Sequence, residues 1–119
     1  MKIGFIGCGN MAGAIIRGIL AAGAAAPEDI IGADLSAAAR DKVREECGIR
    51  VTDDNTEVVR SAETVFLTVK PQFLEDVIFG IRDAAAPDQL FVSIAAGRSI
   101  AWIEERFGAE VAEIVDGVT

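Results

Sequence analysis

Histidine and tyrosine are missing from this chain altogether; cysteine occurs twice, proline three times, and the aromatic set is six phenylalanines and one tryptophan. With no imidazole and with Cys8 and Cys47 in no CxxC spacing, no zinc site is recognisable, so metal chemistry is not expected. Two isolated cysteines make no disulfide framework and suit a reduced, cytoplasmic protein. Basic residues are also scarce, 11 Lys and Arg against 19 Asp and Glu, for a formal charge of −8. The long-range field of such a chain repels nucleic-acid phosphates and anionic membrane surfaces, so any anion it binds must be held by local geometry. No run reaches the roughly 18 apolar residues of a spanning helix. The stretch from Lys2 to Ala22-Gly23-Ala24 has the outline of a secretory signal, but Gly7, Gly9 and Asn10 interrupt it and Arg17 sits where it should be apolar.

What is present is a regular alternation. Half of the 119 residues are apolar, enough for one core and one domain over residues 1–119 but short of the two domains most nicotinamide-dependent enzymes use. Residues 2–6 read as a short buried strand stopped by a glycine turn, and 10–22 as a helix with Met11, Ile15, Ile16, Ile19 and Leu20 at helical spacing, Asn10 as its cap and Gly23 as its stop. The pattern repeats: a strand over 30–33 ending at Asp34, a helix over 37–47 capped by Ser36 and ended by Gly48, and a strand over 49–51. A brief helix over 56–61 leads to a strand over 64–69 that reads as buried on both faces. Then follow a helix from Pro71 through Ile81, a strand over 90–95, a helix from the cap Ser99 to Phe107, and a sixth strand within 110–115. Pro27 and Pro87 read as turn punctuation. This βα alternation predicts a Rossmann-type α/β fold, a doubly wound parallel sheet in the order 3-2-1-4-5-6 with helices on both faces.

The turn after the first strand, Gly7-Cys8-Gly9-Asn10-Met11-Ala12, fits G-x-G-x-x-A, a variant of the dinucleotide fingerprint. Each small residue plays a distinct physical part. Gly7 lets the chain turn out of the strand, Gly9 lets backbone approach a pyrophosphate, and Ala12 keeps the helix close to the sheet. The helix N-terminus supplies free N–H groups and partial positive charge, so an acidic protein needs no basic patch to hold the anion. The context fits as well, with a strand before, an amphipathic helix after, and Asp34 at the end of the next strand. Asp34 would accept hydrogen bonds from the ribose hydroxyls of NAD and repel the 2′-phosphate of NADP. Against that, Leu35-Ser36 offers a hydroxyl and local N–H groups with Arg40 one turn further on, so NADP or NAD is the expectation. Cys8 reads either as a packing residue or as a thiol activated by the helix N-terminus. Trp102, Ile103 and Phe107 read as helix packing, part of whose apolar face could serve another domain.

Three stretches, GFIGCGNMAGAIIRGIL, TVFLTVKPQFLEDV and VSIAAGRSIAWIEERFG, resemble in order and spacing the signature segments of the pyrroline-5-carboxylate reductase family, over nearly the whole chain to about Val115. The resemblance implies that residues 7–12 bind the pyrophosphate and that Asp34, Leu35 and Ser36 meet the adenosine ribose. It further implies that Asn55 lies near the adenosine half, that Val69, Lys70 and Pro71 contact the nicotinamide ribose, and that Ala95, Ala96 and Gly97 line the nicotinamide pocket. Read from the residues alone, Asn55 is equally a cap for the helix at Thr56, Lys70 a surface lysine, and residues 95–97 a tight turn.

The reaction the resemblance implies is hydride transfer from NAD(P)H to the C=N carbon of 1-pyrroline-5-carboxylate, giving L-proline. Where that family continues through a Met-Pro-Asn-Thr-Pro segment into a helical dimerisation domain that completes the imine site, this sequence reads Ile114-Val115-Asp116-Gly117-Val118-Thr119 and stops. The expectation is therefore a cofactor-binding half, inactive alone, with no catalytic residue to name, and prone to self-association through its sixth-strand edge. Two alternatives stand beside it: a stand-alone NAD(P)-binding regulatory module, and a domain similar to the F420-dependent NADP reductases, which share the fingerprint but are less well matched at VKPQ and SIAAG.

Overall fold

The computed structural model describes residues 2–94, 99–108 and 113–116, with the side chains of residues 100 and 113–116 left aside. Strands β1 (Ile3–Ile6), β2 (Ile30–Ala33), β3 (Arg50–Thr52), β4 (Thr64–Leu67), β5 (Leu90–Ser93) and β6 (Glu113–Asp116) alternate with helices α1 (Asn10–Ala21), α2 (Ala37–Cys47), α3 (Asn55–Ser61), α4 (Pro71–Ile81) and α5 (Ile100–Phe107). The strands form one parallel sheet in the order β3-β2-β1-β4-β5-β6, the topology the alternation predicts.

Local chemistry places most boundaries. The Ser36 hydroxyl accepts the Ala39 N–H at 3.2 Å and starts α2, which Gly48 ends with φ +72°. The Ser99 hydroxyl likewise accepts the Trp102 N–H at 3.1 Å and starts α5. At the end of α1 the N–H groups of Gly23 and Ala24 return to the carbonyls of Leu20 and Ile19, both at 3.1 Å, closing the helix as its glycine predicts. Two caps differ from expectation. Gly9 rather than Asn10 is the cap residue of α1, and Asp54 rather than Asn55 caps α3, its carboxylate accepting the Thr56 N–H at 2.9 Å. Asp54 reaches that amide because it stands one residue earlier, in extended backbone. Short 3-10 turns at Pro27–Asp29 and Arg82–Ala84 occupy places where the sequence shows only punctuation or the end of a helix.

The core has two layers. Ile3, Phe5, Ile16, Ile30, Val43 and Ile49 pack beneath α1 and α2; Val58, Leu67, Leu74, Ile78, Phe91 and Ile103 pack beneath α3, α4 and α5. Strands β1 and β2 are buried throughout. In β4 only Val65 and Leu67 are, which corrects the expectation of burial on both faces. The α1–α2 layer lies over β1, β2 and β3, and the partly buried Phe66 packs against it, stacking on Phe5 with ring centroids 4.7 Å apart. Ile103 and Phe107 are buried in the domain's own core and Trp102 is half-buried against it, so the α5 face serves this domain.

Candidate functional site

The register sets the stage. Thr52, Ala33, Ile6, Leu67, Ser93 and Asp116 form one row across the sheet, so the residues after them share its carboxyl edge. Between β1 and β4 the winding reverses: α1 packs on one face and α4 on the other. A crevice opens above such a switch point.

The β1–α1 loop enters that crevice in an extended and tightly held form. Gly7 has φ +100°, and a Cβ there would stand 2.7 Å from the carbonyl oxygen of Thr68, so only glycine fits. Its N–H donates to Ala33 O at 2.8 Å. The Thr68 hydroxyl lies 2.6 Å from Gly7 O and 2.9 Å from Ile6 O and shares its proton between them, which ties the loop to the end of β4. Motif reasoning passes over Thr68, whose one signal in the sequence is a hydroxyl just after the apolar run Val65-Phe66-Leu67. Ala12 is fully buried in the first turn of α1, as its packing role predicts, while Met11 is exposed.

Gly9 differs from Gly7. Its φ is −77°, open to any residue, and a Cβ there would meet no described atom within 4 Å. Protein packing does not ask for glycine at this point, and the space beside it stands free at the start of α1. That helix has no side-chain cap. Helices α2, α3 and α5 are all capped by Ser36, Asp54 and Ser99, whereas α1 and α4, the two that flank the switch point, are not. The first-turn amides of α1 therefore face the crevice without a side chain to satisfy them, and a bound anion is what such a helix end accommodates. A hollow of about 540 Å³ between α1 and α2 opens at Gly9, with Lys42 on its wall. The Lys42 ammonium stands 3.4 Å from the Asn10 side-chain oxygen.

The Cys8 thiol packs toward β2, against Gly32 and Ala33. The residue is buried, the thiol donating to Ala33 O at 3.4 Å. Burial first, and then the neighbouring Asp34 carboxylate, push its pKa up to about 12, with the Arg40 guanidinium opposing. A buried thiol whose pKa is raised suits the packing reading rather than the activated one. Cys47 is buried at the end of α2 and its pKa is raised by the same cause.

The second border is the turn after β2. Asp34 is half-buried, Leu35 is 87% exposed, and Ser36 is exposed with its hydroxyl spent on the α2 cap. Arg40 Nη1 donates to the carbonyls of Asp34, at 2.8 Å, and Leu35, at 3.2 Å. Asn55, half-buried in the first turn of α3, makes no side-chain hydrogen bond among the described residues. The third border follows β4: Val69 packs partly on the core, Lys70 is exposed at the extended start of α4, and Pro71 opens the helix. Ala95, Ala96 and Gly97 lie outside the described residues. Among the described residues no group of His, Cys, Asp and Glu could hold a metal, and no helix is long and apolar enough to cross a membrane.

Comparison with known proteins matches residues 2–97 to the family described as "NADP oxidoreductase coenzyme F420-dependent". A pyrroline-5-carboxylate reductase of Methanosarcina acetivorans is 34% identical over 98% of this chain and 44% of its own. Among solved structures, a pyrroline-5-carboxylate reductase from Coxiella burnetii superposes with a TM-score of 0.83 at 34% identity, over 90% of this chain and 40% of that one. The Plasmodium falciparum pyrroline carboxylate reductase, solved with NADP bound, gives 0.80 at 26% identity over 93% of this chain and 39% of its own. The chain thus spans about two fifths of the length of the relatives it matches.

Proposed function

The chain belongs to the family of NADP oxidoreductases described as coenzyme F420-dependent, within which it matches the N-terminal part of pyrroline-5-carboxylate reductases, and from that premise we propose that it binds NADP(H) or NAD(H) along the carboxyl edge of its sheet. The observation that carries this is the start of α1: an uncapped helix N-terminus beside free space at Gly9, above the switch point. Within residues 7–12, which border the pyrophosphate, Gly7 and Cys8 shape the turn with their N–H groups spent inside the chain, and the backbone N–H groups from Gly9 onward hold the anion. The turn of Asp34, Leu35 and Ser36 borders the adenosine ribose, with the exposed Leu35 side chain an apolar surface for the adenine, and Asn55 turns its unused amide to the same half. Val69, Lys70 and Pro71 border the nicotinamide ribose, and Ala95, Ala96 and Gly97 its ring.

When bound, the reduced nicotinamide supplies a hydride. The residues of this chain bind and orient the dinucleotide and exclude water from one side of it. The acceptor we propose is the C=N carbon of 1-pyrroline-5-carboxylate, giving L-proline, with the imine held by a helical domain of the kind the longer relatives have room for. The family description favours a second reading, in which the partner in hydride exchange is coenzyme F420. β6 is an edge strand of the sheet, and self-association through that edge belongs to the same proposal; light scattering that finds only monomer at high concentration removes it.

Calorimetric titration with NADPH and with NADH tests the cofactor reading. Saturable binding of either supports it, and no binding at millimolar concentration defeats it. Oxidation of NADPH by the imine, against oxidation by F420, in the presence of any required helical domain, separates the two acceptors.

A further inference from the structure

Asp34 occupies the position at which a carboxylate is expected to read the ribose hydroxyls, yet all of its polar groups already have partners within the chain. Its Oδ2 accepts the Cys8 N–H at 2.9 Å and its Oδ1 accepts the Ser36 N–H at 2.9 Å. Its own N–H donates to Thr52 O at 3.1 Å, and its carbonyl accepts from Arg40 at 2.8 Å. One carboxylate thus joins the β1–α1 loop to the start of α2, and the bond to Cys8 fixes the Gly7–Cys8 peptide, one peptide ahead of the Cys8–Gly9 link. Cys8 is only 5% exposed, so little water is at hand to replace the carboxylate on its amide. Arg40 is held at the same turn through the Asp34 and Leu35 carbonyls, so a 2′-phosphate arriving there meets a guanidinium as well as the carboxylate.

We propose that Asp34 is a positioning residue, a latch that holds Cys8 and Gly9 in the shape of the cradle, and that its carboxylate does not set the choice between NADP and NAD. This rests on the cofactor reading given above. It departs from the role an acid at this place suggests from sequence, which is to favour NAD by bonding its ribose hydroxyls and repelling a 2′-phosphate. The two roles separate in their consequences. Loss of a reader shifts the ratio of the two affinities, while loss of a latch lowers both together.

The test measures dissociation constants for NADPH and NADH in the wild type, Asp34→Asn and Asp34→Ala, alongside backbone amide exchange by NMR. Expected for Asp34→Ala is a loss of roughly tenfold for both nucleotides, with a smaller loss for Asp34→Asn, which keeps one acceptor. The NADPH to NADH ratio should stay within about twofold of wild type, and exchange at Cys8 and Ser36 should accelerate at least about tenfold in Asp34→Ala. A tenfold shift of the ratio toward NADPH in either variant overturns the proposal, as do unchanged affinities or unchanged exchange at Cys8 in Asp34→Ala. If the wild type binds neither nucleotide, the cofactor reading has failed and the positioning role falls with it. Accelerated exchange at Cys8 would then still show a purely structural tie.

Discussion

Exchanging the two fingerprint glycines for alanine, one at a time, should damage the protein in opposite ways. At Gly7 the backbone is at φ +100°, and the new methyl would press within 2.7 Å of Thr68 O and 2.8 Å of its carbonyl carbon, both backbone atoms at the end of β4. Holding a non-glycine residue in such a conformation costs about 1–3 kcal/mol, and forcing apart two backbone segments adds about 1–3 kcal/mol. A domain of 119 residues has only about 6–18 kcal/mol to lose. Gly7→Ala should therefore lower the melting temperature by at least about 8 °C, taking roughly 4 °C per kcal/mol at this size. At Gly9 the φ of −77° suits alanine and no described atom lies within 4 Å, so the folded protein feels only the poorer helix cap, about 1 kcal/mol or less. The methyl would instead stand where the pyrophosphate approaches, weakening NADPH or NADH by about 10- to 100-fold. Thermal melts followed by circular dichroism and calorimetric titration read both. A Gly7→Ala protein melting within about 2 °C of wild type refutes the strain reasoning, and a Gly9→Ala protein binding cofactor within about twofold of wild type refutes the placement of the cradle.

Gly32 in β2 faces the Cys8 thiol so closely that a Cβ would lie 2.8 Å from Sγ. Gly32→Ala alone should cost about 1–3 kcal/mol in urea unfolding, and the double variant with Cys8→Ala should recover at least about 1 kcal/mol of the summed losses; strict additivity would show that the two do not touch. With its pKa near 12, Cys8 should react with iodoacetamide at pH 8 about a thousandfold more slowly in the native protein than in urea, and mass spectrometry of the labelled peptide reports this. The same shift links to stability. The folded state favours the neutral thiol, so its contribution is complete below the ordinary thiol value of 9.0 and is lost as pH rises from there toward about 12, at up to about 1.4 kcal/mol per pH unit. Unfolding midpoints flat between pH 9 and 11 would contradict it.

Most of the architecture is written in punctuation. Ser36, Gly48, Ser99, Gly23 and Pro71 act through local geometry that neighbouring sequence suffices to determine: α2 begins and ends, α4 and α5 begin, and α1 ends where those residues put them. The cap of α1 departs from the sequence expectation for an instructive reason. Asn10 is the better capper by propensity, but the cap position falls one residue earlier, on Gly9, which has no side chain to cap with; on the cofactor reading proposed above, that leaves the place open to an anion. Gln89 is invisible in the sequence for a different reason. A polar residue just before β5, it is nonetheless buried, its Nε2 donating to Val59 O at 2.5 Å and Ala62 O at 2.8 Å while its Oε1 accepts the Ala86 N–H at 2.7 Å. The two carbonyls come from a segment some thirty residues away and nothing local announces them. Asp34 combines both cases: its place at the end of β2 is legible, whereas its bond to Cys8 depends on how two loops meet.

The charge of the whole chain and the chemistry of the cradle pull against each other, and ionic strength should separate them. Eight net negative charges are spread over a body 36 × 27 × 26 Å, so most lie farther from the crevice than the ~8 Å Debye length of physiological salt but within the ~30 Å length at 10 mM. At low salt the domain as a whole repels a pyrophosphate. Treating its charge as about 20 Å away, that repulsion is on the order of 1–2 kcal/mol, and nearly all of it is screened at 150 mM. The attraction comes from backbone N–H groups and the end of α1, which act within a few ångströms and feel salt little. Cofactor affinity should therefore hold steady or rise severalfold between 10 and 150 mM salt, against the fall shown by a site built on lysine and arginine. A severalfold fall in calorimetric affinity over that range would mean that Arg40, Lys42 and Lys70, rather than the helix and its glycine turn, carry the binding.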